Sequence, residues 1–152
     1  RGNGSNLGRL DSDGLKFNGD TAAANALDDY EEGTWTPTVS SGWSIAINFC
    51  HYTKVGRVVN VKGRITISST GSGSPTFSGL PFTSGGNTNG VLSNLFIRSL
   101  NAINYNNYTA YIGGNASGFT IYGNETTGAW AQVTNADLKA TSEFYVEGTY
   151  LT

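Results

Sequence analysis

Cys50 and His51 stand side by side and are the one cysteine and the one histidine of this 152-residue chain. A thiolate nucleophile and an imidazole base must meet in space to work together. On an extended strand, neighbouring side chains point to opposite faces, so this pair cannot make that contact. Cys50 reads as a small packing residue. A single histidine leaves no His/Cys set of the zinc-binding kind, and a Ser-His-Asp triad would rest on His51 alone. Asp28, Asp29, Glu31 and Glu32 crowd four carboxylates into five positions. A glycosidase needs one carboxyl of raised pKa in a cleft, at a fixed distance from its partner. Carboxylates adjacent in sequence repel one another and keep their water, so the run reads as a solvated surface turn. Asp11-Ser12-Asp13-Gly14 opens like a calcium loop but lacks the later ligands and a closing Glu, and it too reads as a turn. No catalytic residue, metal site or cofactor is implied.

The aromatic residues are the stronger lead. Sugars are recognised by flat rings that stack on C–H faces, with amides and hydroxyls beside them. Tyr111 and Tyr122 alternate outward on an expected hairpin amid Asn107, Thr109, Thr120 and Asn124, with Tyr105 and Trp130 close in sequence. The candidate glycan-binding set is therefore Tyr111, Tyr122, Tyr105, Trp130, Asn107 and Asn124. The alternative for each ring is packing against a loop or along a subunit seam. Trp35 and Trp43 point inward on their strands and read as core. Lys62 and Arg64 share an outward face, where they could meet an anionic glycan or pair with Glu143 or Glu147. Each such pair is worth less than ~1 kcal/mol.

These residues need a β scaffold, and the composition suits one. Charged residues make up 13%, aromatics 12%, glycines number 21 and methionine is absent. Few charges, many small polar residues and many rings favour an all-β domain with tight turns. The formal net charge of -2 argues against nucleic acid, whose phosphates need clustered Lys and Arg. No apolar run approaches the ~18 residues of a membrane span, and no signal-peptide pattern opens the chain. One cysteine forms no internal disulfide.

Residues 1–33 are thin in apolar groups and read as an extended, stalk-like connector, with one short helical turn at Thr21 to Leu27. Residues 34–152 read as a β-sandwich. Thr34–Ser40 is an edge or bulged strand because of Pro37. Ser44–Tyr52 places Trp43, Ile45, Ile47 and Phe49 on one side. Val58–Ser68 turns Val59, Val61, Ile65 and Ile67 inward, and Gly63 falls on that row, where a missing side chain implies a close neighbour. Val91–Ile97 is apolar on both faces and must be covered twice. Gly113-Gly114-Asn115 joins Tyr108–Ile112 to Phe119–Tyr122 as a hairpin. Ser142–Leu151 buries Phe144, Val146 and Tyr150. The expected architecture is an antiparallel β-sandwich, jelly-roll-like.

Leu27-Asp28-Asp29-Tyr30-Glu31-Glu32-Gly33-Thr34-Trp35-Thr36-Pro37 resembles the segment that opens the C-terminal domain of many bacteriophage tail fibre and tail spike proteins. The likeness continues in Tyr52-Thr53-Lys54-Val55-Gly56-Arg57-Val58-Val59, Gly79-Leu80-Pro81-Phe82 and Phe144-Tyr145-Val146-Glu147-Gly148-Thr149-Tyr150. The middle, Asn87 to Gln132, carries no such motif. The resemblance implies a homotrimeric receptor-binding domain at the tip of a virion tail fibre or spike. Its partners would be a bacterial surface polysaccharide or lipopolysaccharide and its own copies, with no enzymatic activity. The rivals are a purely structural trimerisation cap and a non-catalytic carbohydrate-binding module of a depolymerase. Four Asn-X-Ser/Thr triplets, at Asn3, Asn107, Asn115 and Asn124, would go unmodified in a protein made in bacteria.

Overall fold

A computed structural model of the chain describes residues 7–23, 26–27, 29–40, 42–87, 90–92, 94–100, 105–125 and 128–152. Asp28, the triplet at Asn3, Thr126 of the triplet at Asn124, and Ala24 and Asn25 of the expected helical turn lie outside them, as does the side chain of Val91.

The described residues form thirteen strands, all paired antiparallel: β1 (Gly8–Asp11), β2 (Gly14–Phe17), β3 (Tyr30–Thr34), β4 (Thr38–Val39), β5 (Ser44–Val55), β6 (Val58–Ser69), β7 (Thr76–Ser78), β8 (Gly90–Leu92), β9 (Asn94–Arg98), β10 (Asn107–Ile112), β11 (Gly118–Asn124), β12 (Trp130–Gln132) and β13 (Glu143–Leu151). One sheet runs β3-β5-β6-β13-β9. The other runs β4-β7-β11-β10-β8, with β12 joining β11 beyond the end of β7. The fold is the expected antiparallel sandwich.

The core between the layers follows from alternation. Val59, Val61, Ile65 and Ile67 of β6 meet Phe144 and Val146 of β13, all buried, while β10 and β11 send in Ala110, Ile112, Phe119 and Ile121. Phe77 joins the layers, stacking on Phe119 at 4.9 Å and meeting Phe144 edge-on at 5.5 Å. Gly63 has the close neighbour its position implied. A Cβ there would lie 2.9 Å from the Cys50 sulfur and 3.3 Å from the Trp35 ring. Trp35 and Trp43 are core residues, and the Trp35 indole donates to the carbonyl of His51 at 3.2 Å.

Four stretches differ from the sequence-based expectation. Thr34–Ser40 is not one strand: Thr34 ends β3 in the five-stranded sheet, and Thr38–Val39 is β4 in the other. Tyr30-Glu31-Glu32 is not a turn but part of edge strand β3, paired with Thr53 to Val55. An edge strand keeps one flank in water, so paired backbone and hydrated carboxylates coexist. Lys54 draws the run in, its ammonium bonded to Asp29, with Glu31 at 3.8 Å. Phe49 is not in line with Ile45 and Ile47. A register shift between Ile47 and Phe49 turns it outward, opposite Arg64 and stacked on His51. The doubly apolar stretch near Val91 is two strands in two sheets. β8 pairs with β10 and buries Leu92; β9 pairs with β13 and buries Ile97. One sequence period cannot show a chain changing layers.

β1 and β2 form a separate ribbon, extended by a bridge from Leu15 to Leu27. One face carries Arg9, Asp11 and Lys16. The Lys16 ammonium lies 3.2 Å from Asp11 and 2.6 Å from Asp13, so the calcium-loop lookalike is a lysine-clasped turn. The register puts Leu10, Leu15, Phe17 and Leu27 on the opposite face, with Leu10 80% and Phe17 56% exposed.

Candidate functional site

The β10–β11 hairpin positions the site. Tyr108, Ala110 and Ile112 turn inward, as do Phe119, Ile121 and Gly123, so the residues between them must face out. The loop is pinned by Ser84, whose hydroxyl donates to the Gly113 carbonyl at 2.6 Å and accepts from the Ala116 N–H at 3.0 Å. Asn115 takes a left-handed conformation (φ 54°), which asparagine tolerates better than most residues. Register then builds rows across three strands. Asn107, Asn124 and Trp130 form one row; Thr109, Tyr122 and Gln132 the next; Tyr111, Thr120 and Thr76 the third.

The aromatic side chains step diagonally across these rows, from Trp130 on β12 through Tyr122 on β11 to Tyr111 on β10. Tyr111 and Tyr122 meet edge to face at 6.1 Å and 89°. Trp130 is 53% exposed and Tyr111 38%, large values for rings on a paired strand. The Gln132 amide donates to the Tyr122 hydroxyl at 3.2 Å, fixing that ring, and the Asn124 amide donates to the Gly128 carbonyl at 3.1 Å. A shallow hollow of about 390 Å³ is lined by Thr109, Tyr111, Tyr122 and Trp130. A second, of about 490 Å³, lies beyond the tyrosines towards Thr76, Asn115 and Thr120. The tyrosine pair is thus a ridge between two open hollows.

Five of the six candidate residues, Tyr111, Tyr122, Trp130, Asn107 and Asn124, share this outer face. Tyr105 does not. Its ring lies on the inner side, directly over Gly123, where a Cβ would overlap it, and meets Tyr108 at 5.7 Å. Sequence reasoning missed Gln132, although its spacing from Trp130 on a strand already places the two on one side. Lys62 and Arg64 are committed. Lys62 lies 3.6 Å from Glu147, and Arg64 lies 3.1 Å from Glu143, which also holds Arg98 at 3.7 Å. The Arg64 guanidinium, and after it the Tyr145 hydroxyl, hold the Glu143 carboxyl below its ordinary value.

Cys50 and His51 point to opposite faces, Cys50 buried and His51 exposed. Burial pushes the Cys50 thiol up to about 11, so it is neutral and unreactive at physiological pH. Another hollow, of about 440 Å³, lies on the outer face of the five-stranded sheet between Phe49, Lys62, Phe96, Tyr145 and Glu147.

An antiparallel β-sandwich with an aromatic ridge on one outer face is the class of domain these observations define. No family model and no curated protein sequence matches the chain. Its fold is similar to part of the crystal structure of the Dettilon tailspike protein, with a TM-score of 0.66, 17% identity, and 83% of this chain against 24% of that one covered. The chain spans about a quarter of that tailspike's length, and at this identity the likeness is one of fold.

Proposed function

We propose that this chain is a receptor-binding domain of a phage tail fibre or tail spike, placed at the tip and binding a bacterial surface polysaccharide or lipopolysaccharide without cleaving it. The observation that carries the reading is the solvent-facing pair Tyr111 and Tyr122 between two shallow hollows, with Trp130 lining one of them. Rings offered to solvent beside threonine hydroxyls and amides suit the alternating C–H and O–H surfaces of a sugar. The tailspike-like fold and the opening motif support the viral setting.

The domain also holds its copies together as a trimer. Two apolar surfaces away from the ridge support this. One is the ribbon face of Leu10, Phe17 and Leu27; the other is Phe96, 62% exposed beside Tyr145. Three weak sites at one tip would bind with avidity, which suits a surface without a deep cavity. The same surfaces favour the rival reading, a structural cap with no sugar affinity.

A binding screen of the chain against host lipopolysaccharides and capsules decides between them. Adhesion requires binding to at least one glycan, lost on combining Tyr111→Ala with Tyr122→Ala in a protein that still folds. Retained binding in the double variant moves the site elsewhere; no binding at all leaves the cap. Shortening of a bound polymer during incubation would overturn the non-enzymatic reading.

A further inference from the structure

We infer that the ridge reads an uncharged glycan, a surface polysaccharide built from neutral sugars rather than uronic or sialic acids. This rests on the glycan-binding reading and narrows it. Ionisable side chains divide between the two layers. β4, β7, β8, β10, β11 and β12 carry no Asp, Glu, Lys, Arg or His. The five-stranded sheet carries them instead, Lys62, Arg64, Arg98, Glu143 and Glu147 among them.

An anionic sugar brought onto the ridge would lose hydration from its carboxylate, and a cationic partner is the strongest compensation for that loss. None stands on the strands of this face among the described residues. Lys62 and Arg64 lie on the far side of the other sheet, two layers about 10 Å apart, and already face Glu147 and Glu143. The chain's net charge of -2 adds a weak repulsion. The nearest acid in sequence, Glu125, follows Asn124 at the rim, where its N–H donates to the Ala129 carbonyl at 2.8 Å. Hydroxyls and amides of Thr109, Thr120, Asn107 and Gln132 surround the rings and match neutral hydroxyls.

The layout also implies a polymer lying along the diagonal. Two diagonal steps of about 7–8 Å separate Trp130 from Tyr111, too far for one sugar ring to touch both. Consecutive sugars of one polymer would follow the hollow that Trp130, Tyr122 and Tyr111 line together.

The test is equilibrium binding of the full chain to a panel of neutral hexose and deoxyhexose O-chains and a matched panel of uronic-acid capsules, each at about 0.05 M and 0.5 M salt. A neutral polysaccharide should bind with an affinity that salt changes less than about twofold, because no ion pair is screened. Trp130→Ala should weaken it about tenfold for a long chain. Thr109→Lys supplies the missing cation and should raise the affinity for the uronic-acid panel in a salt-dependent way; no gain would count against charge as the deciding feature. Preference for the uronic-acid panel, or affinity falling more than about tenfold with salt, overturns the inference while the glycan reading survives. Failure of both panels with a folded protein removes both together.

Discussion

Glycine at position 63 is set by its neighbours more than by its backbone. The Cys50 sulfur and the Trp35 ring occupy the space a methyl group would need. Gly63→Ala should therefore cost about 1–3 kcal/mol, read as a lower midpoint in urea; an unchanged midpoint would mean that Trp35 moves aside freely. Cys50 itself, buried and with its thiol pushed up to about 11, should resist an aromatic disulfide reagent at neutral pH and react only as the chain unfolds. Tyr108 offers the opposite case. Its hydroxyl is buried with no hydrogen-bond partner among the described residues, so Tyr108→Phe should leave stability unchanged or raise it by about 1 kcal/mol. A clear loss in Tm would reveal a partner for that hydroxyl. Much at this scale was legible in the sequence. Alternation alone placed Val59, Val61, Ile65 and Ile67 inside and separated Cys50 from His51.

At the scale of elements, the outer face of the five-stranded sheet is organised by Glu143, which takes Arg64 and Arg98 from the strands on either side of β13. Its carboxyl is held below the ordinary 4.5, so it binds its proton more readily in the unfolded chain. The stabilisation is present above that value and is lost as pH falls through the lower, folded one. Melting scans from about pH 7 to pH 3 should show wild type losing more of its Tm below about 4.5 than Glu143→Gln does. Parallel acid limbs would mean that Glu143 titrates alike in both states. Elements were legible where one period ran unbroken, as in β6, the β10–β11 hairpin and β13. They were not where the chain bulged at Phe49 or changed sheets between Leu92 and Asn94, because backbone irregularity leaves the residue pattern without a distinctive mark.

For the whole molecule, the ribbon is the feature the sandwich does not explain. A two-stranded ribbon has little stability of its own, and this one turns Leu10, Phe17 and Leu27 to solvent. If copies of the chain cover that face, light scattering should give the trimer mass for wild type. Leu10→Asp with Phe17→Asp should then give the monomer mass, with the sandwich still folded by circular dichroism. A wild-type monomer would remove the trimer reading; an unchanged trimer in the variant would move the seam to Phe96 and Tyr145. The ridge lies on the other layer's outer face, so the glycan binding proposed for it should be unchanged per site in the monomeric variant.

The all-β class, the inward rows, the hairpin at Gly113-Gly114-Asn115 and the outward Tyr111 and Tyr122 follow from the order of residues, since alternation along one strand is a local property. What lies beside what does not follow from it. Trp130 reaches the tyrosines only because β12 pairs with β11, and Tyr105 leaves them only because Gly123 makes room beneath the sheet. The segregation of charge into one layer likewise appears only when distant strands are assigned to sheets. Pairing between remote segments, set by packing across the whole sandwich, decided the site.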